Sequence, residues 1–126
     1  MIGIIMDKGV IGGGKVQKII KYLENHQQKK DEYIKLILTN IIHIVDVVGD
    51  KSAWDIINIG SDYDGAIQHI DYYENAGKFK TLYKDLIGYL ERTEFHKELW
   101  YGYSPVELIN KIIRENALSF LKKNFN

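Results

Sequence analysis

Cysteine is absent from all 126 residues, so disulfides and thiolate metal sites are excluded, and any metal would have to be held by His, Asp or Glu. Proline occurs once, at Pro105. Excess charge is missing too: 17 basic residues balance 17 acidic ones, so no overall field favours nucleic acid, an anionic membrane or an acidic substrate. No apolar run approaches the roughly 18 residues that a bilayer span requires. The opening run Met1-Ile2-Gly3-Ile4-Ile5-Met6 is apolar but short, without a basic leader or a small-residue cleavage site. These absences predict a soluble protein with no nucleic-acid partner and no membrane span.

What is present suits a folded chain, with 45% apolar and 27% charged residues. The apolar run over residues 2–6 followed by Gly9-Val10-Ile11-Gly12-Gly13-Gly14 reads as a buried strand and a loop. Val16, Ile19, Ile20 and Leu23 then keep helical spacing, and the polar stretch Asn25 to Lys30 is expected to end that helix. In a longer helix, Ile34, Ile37, Leu38, Ile41, Ile44, Val45 and Val48 oppose Lys35, Thr39, His43 and Asp46, with Gly49 as the stop. Trp54 to Ile59, rich in β-branched residues and bounded by Gly60, predicts a second buried strand.

The second half reads as helical. Phe79, Leu82, Tyr83, Leu86, Ile87 and Leu90 form one stripe, and a turn-rich segment holds Phe95, Leu99 and Trp100. The last helix opens with Ser104 as N-cap, Pro105 at the first helical position and Glu107 closing a capping box. Val106, Ile109, Ile113, Ala117, Phe120 and Leu121 are expected to face the core. The fold class is therefore α/β, with two parallel strands joined by a right-handed helical crossover and about five helices. Parallel sheets are normally covered on both faces and contain more strands, so residues 1–126 are expected to form a single partial domain of a larger fold. A (β/α)8 barrel needs roughly 250 residues.

The segment with most chemical content is Ile59-Gly60-Ser61-Asp62-Tyr63-Asp64-Gly65, a strand end running into a tight acidic turn. In α/β barrels catalytic side chains stand at the carboxyl ends of strands, where a carboxylate can ligate a divalent ion or take a proton from metal-bound water. By pattern alone, a solvated Asp/Gly turn after a buried strand fits equally well.

His43-Ile44-Val45-Asp46-Val47-Val48-Gly49, followed after a short gap by Ile57 to Gly65, resembles the last-strand region of the renal (membrane) dipeptidase family of amidohydrolase-like metal barrels. The similarity continues through the capped helix at Ser104 to Glu107 and through Asn116-Ala117-Leu118. It implies the closing β/α units of a TIM-type barrel and zinc-dependent hydrolysis of a dipeptide or related small amide. In that family two zinc ions are held by His, Asp and Glu of earlier strands, and a bridging water attacks the amide. The resemblance assigns the catalytic acid/base role to Asp62, which is also placed to hold the substrate's free amino group. Asp64 would cap the turn, and Gly60 and Gly65 would let the backbone bend close to the site. The family's metal ligands have no counterpart in this sequence, so no metal ligand is assigned within the chain. His69-Ile70-Asp71 spells His-x-Asp, but in the loop after the last strand, where two ligands could not point up a barrel axis.

Two rival functions follow from other features. A noncatalytic helical interaction module would account for the charged, tyrosine-rich second half. Gly9 to Lys15 fits the phosphate-binding pattern G-x-x-x-x-G-K, although Val16 stands where Ser or Thr would hold magnesium. The other histidines read blandly: His26 ends a helix, His43 lies on a polar stripe and His96 sits beside Lys97 and Glu98. The open edges of the strands holding Ile4, Ile57 and Ile59 predict that the chain by itself associates, swaps elements or folds only marginally, with self-association expected.

Overall fold

The computed structural model describes residues 2–5, 25–60, 72–73 and 76–125. Strand β1 (Ile2–Ile5) pairs in parallel with β2 (Ile57–Gly60), with Ile2 beside Ile57 and Ile5 beside Gly60. The expected parallel neighbours are therefore present. Alternation along a strand places Ile2, Ile4, Ile57 and Ile59 on one face, where Ile4, Ile57 and Ile59 are buried. On the other face Gly3 is exposed and Asn58 half-buried.

Helix α1 (His26–Val48) begins one residue after Asn25, whose side-chain oxygen accepts from the amides of Gln27 and Gln28. This corrects the expectation that the polar stretch from Asn25 ends a helix: an Asn followed by polar first-turn residues is a start signal. His26 accordingly stands in the first turn. The buried stripe is Tyr33, Ile34, Ile37, Leu38, Ile41, Ile42 and Val45. The helix stops as expected at Gly49, which takes the left-handed conformation with φ 79°.

A 3₁₀ turn (Lys51–Asp55) follows, so β2 starts later than the Trp54 expected from composition. The Asp50 carboxylate holds the Ser52 amide at 2.7 Å and also accepts from the Ser52 hydroxyl, which winds Trp54 and Asp55 into the turn. Trp54 is buried even so, its indole N–H donating to the Leu99 carbonyl at 2.8 Å.

Helix α2 (Phe79–Thr93) buries Leu82, Leu86, Tyr89 and Leu90, with Tyr83 and Ile87 half-buried at its margin. Phe95 to Trp100 contains only a 3₁₀ turn (Lys97–Leu99), and the Trp100 indole donates to the Phe95 carbonyl at 2.9 Å. Helix α3 (Pro105–Asn110) carries the expected capping box in full, Ser104 and Glu107 each bonding the other's backbone amide. It continues through a π turn (Lys111–Glu115) into α4 (Asn116–Phe125). The described residues thus contain three helical rods. The helix expected over Val16 to Leu23 lies outside them.

The core-facing stripe of the last rod differs from expectation. Leu108, Ile109, Ile112 and Asn116 are buried, Ile113 and Ala117 half-buried, and Val106, Phe120 and Leu121 exposed. The rod meets the sheet chiefly through its π turn. The side chain sent under β2 is the polar Asn116.

Candidate functional site at the carboxyl ends of the strands

Because β1 and β2 are parallel and in register, they end side by side at Ile5 and Gly60. In open and closed α/β sheets alike, ligands gather at this end, where loops carry chemistry above a rigid base. Gly60 closes β2 as an extended residue paired with Ile5. Asp62, Asp64 and Gly65, like His69-Ile70-Asp71 and the Gly9 to Lys15 loop, lie outside the described residues. What the structure supplies is the base from which the Asp62 segment departs.

The amino end of β2 is held from below. Asn116 is a buried polar residue whose amide donates to the carbonyls of Trp54 at 2.8 Å and Ile57 at 2.7 Å. Both of its N–H groups are thereby used at the turn into the strand. Here the sequence signal was present but subdued: an Asn at the same spacing as Ile112 on a buried stripe is more often a polar edge than a double donor.

The chain re-enters the described region at Tyr72 and Tyr73. Tyr73 has no exposed surface, and its phenol donates to the Asp85 carboxylate at 2.6 Å, while the Lys30 ammonium stands 3.9 Å from the same oxygen. Burial, then this hydrogen bond and the Asp85 charge, push the phenol well above the usual tyrosine range. Tyr72, at φ 77°, places its hydroxyl 2.9 Å from Nδ1 of His26, and Lys30 lies 5.5 Å over its ring. One turn along α1, Asp31 accepts both a guanidinium nitrogen of Arg92 at 3.0 Å and the Gln27 amide at 2.9 Å. Partial burial of Asp31 opposes ionisation, but these hydrogen bonds and the Arg92 charge outweigh it and hold the carboxyl below its ordinary value.

The residue types that could hold a metal do not converge. His43, Asp46, His96 and Glu98 line one hollow of about 470 Å³, and His96 Nδ1 stands 3.3 Å from Glu98. Yet among the described residues no three His, Asp or Glu side chains are arranged to hold an ion. Zinc therefore does not fit the described part of the chain. Nor, among those residues, is any helix long and apolar enough to cross a membrane.

A family model described as membrane dipeptidase, peptidase family M19, matches residues 1–123. The chain belongs to the membrane dipeptidase family. Comparison with curated proteins and with solved structures gives no match. Membership bears out the resemblance read from His43 to Gly65 and places the chain among dipeptidase-type metallopeptidases. In this chain β2 ends at Gly60, and Ser61 and Asp62 follow it in sequence.

Proposed function

We propose that this member of the membrane dipeptidase family forms the closing β/α units of a (β/α)8 dipeptidase barrel and contributes Asp62 as its acid/base. The reading is carried by the parallel pairing that ends at Ile5 and Gly60 in a chain of this family. In sequence Asp62 follows Gly60, the last residue of β2, by two positions, and barrel enzymes project their catalytic groups from just past the carboxyl ends of strands, which supports the reading. At that place the carboxylate would take the proton lost by the attacking water and deliver it to the departing amide nitrogen, and in its ionised form would hold the substrate's free amino group by a charge-assisted hydrogen bond. The two zinc ions implied by the family would be held by His, Asp and Glu of other strands. Alone, the chain is inactive.

Two features support a partial barrel. The sheet has only two strands among the described residues, with open edges and one lightly covered face carrying Gly3 and Asn58, whereas parallel sheets are buried on both faces. Leu118, Leu121 and Phe125, at helical spacing along α4, are each exposed. Self-association of the isolated chain is part of the same proposal, since unpaired edges and apolar surface invite partners. Sedimentation should show dimers or larger species at micromolar concentration; a compact, stable monomer counts against it. For the catalytic reading, the isolated chain with zinc should leave a panel of dipeptides intact, whereas a protein joining it to the metal-binding strands should cleave them. Hydrolysis by the chain alone, or none by the joined protein, overturns it.

A further inference from the structure

The carbonyl of Ile56 accepts from the Ile2 amide at 2.6 Å, so it points toward β1. Successive carbonyls of a strand point to opposite sides. Ile57 therefore turns its carbonyl to the edge of β2 away from β1, where no strand stands among the described residues. Asn116 supplies the missing donor there at 2.7 Å, and its second N–H binds Trp54 in the preceding turn at 2.8 Å. We infer that Asn116 is a positioning residue for the catalytic rim, acting as an edge clamp that fixes where β2 starts and hence where Asp62 leaves the sheet. The inference rests on the role proposed above for Asp62.

Three observations lead to it. Asn116 is 6% exposed, and a buried amide placed on two carbonyls satisfies groups that would otherwise be stranded away from water. The backbone immediately before it makes a π turn, the Asn116 amide bonding the Lys111 carbonyl, and that turn packs on β2. Such turns weaken the regular ladder and persist where they place a side chain usefully. Finally, β2 is short: Ile57 to Gly60 spans about 10 Å, so a shift at its first residue is passed almost undamped to its last. A clamp at Ile57 therefore governs the rim.

Amide hydrogen exchange on the full 126-residue chain tests this with Asn116→Ala and with Asn116→Leu, which has the same branched outline but no donor. A clamp predicts that the amides of Asn58 and Gly60, which face β1, exchange at least tenfold faster in the variants, while those of Ile37 in α1 and Leu86 in α2 change less than threefold. If Asn116→Ala does not fold, Asn116→Leu, which leaves no cavity, gives the answer. Uniform acceleration at all four amides, or none at the strand, overturns the positioning role and leaves a merely structural asparagine. The readout involves neither zinc nor dipeptide, so its failure is distinct from a failure of the role proposed for Asp62.

Discussion

Tyr73 and Asp85 are joined by a 2.6 Å hydrogen bond that ties the end of the segment following β2 to helix α2. The phenol is fully buried, and the carboxylate also faces Lys30 of α1. Tyr73→Phe keeps the ring and removes one charge-assisted hydrogen bond, so it should cost about 1–2 kcal/mol in urea unfolding.

The same pair gives an alkaline signature. Because folding raises the Tyr73 pKa, the folded chain holds this proton more tightly than the unfolded one. Its contribution is complete below the unfolded value of about 10 and declines as pH rises beyond it. Stability of the natural chain should fall between about pH 10 and 11 more steeply than that of Tyr73→Phe. Parallel curves would show that the phenol ionises freely.

Asp31 works in the opposite direction, since its pKa is lowered in the fold. Its contribution is present above the unfolded value of about 3.9 and is lost as pH falls through the lower folded one. Arg92 is 53% exposed, so Arg92→Ala should cost only about 0.5–1 kcal/mol at low salt, and less in 1 M salt.

The capping box at the start of α3 provides a purely local test. Ser104→Ala removes the hydroxyl that accepts from the Glu107 amide and should lower stability by about 1 kcal/mol without altering the rest of the fold. Thermal unfolding followed by circular dichroism measures it.

The glycine loop before Lys15 yields a negative prediction. With Val16 at the magnesium-holding position, ATP and magnesium at millimolar concentration should leave the melting temperature unchanged. A shift of several degrees would favour the phosphate-binding alternative.

Elements whose ends carry their own chemistry were legible from sequence: the Gly49 stop and the Ser104 capping box sit where the residue types put them. The β1–β2 pairing was legible as well, because a crossover between two short apolar runs admits little else. Asn25 was misread because a polar run looks alike as an ending and as a beginning, and only the carboxamide on the next turn's amides distinguishes them. Trp54 was assigned to a strand on composition, while Asp50, four residues earlier, had already bent the chain into a turn. Asn116 and Tyr73 were missed as anchors for a common reason. Their partners lie 59 and 12 residues away, at Ile57 and Asp85, and no periodicity encodes such contacts. Asp62, which lies outside the described residues, was singled out by family resemblance and not by spacing, since an acidic glycine turn is ordinary by itself.

The central claim concerns that carboxylate, and the most direct measurement is dipeptide hydrolysis by a zinc-loaded protein that joins this chain to its family's metal-binding strands, with and without Asp62→Asn. The role proposed here predicts a loss of kcat by a factor of about a hundred or more, the range for removing a positioned acid/base, with the fold and the bound zinc retained. Equal rates for the two proteins would contradict it.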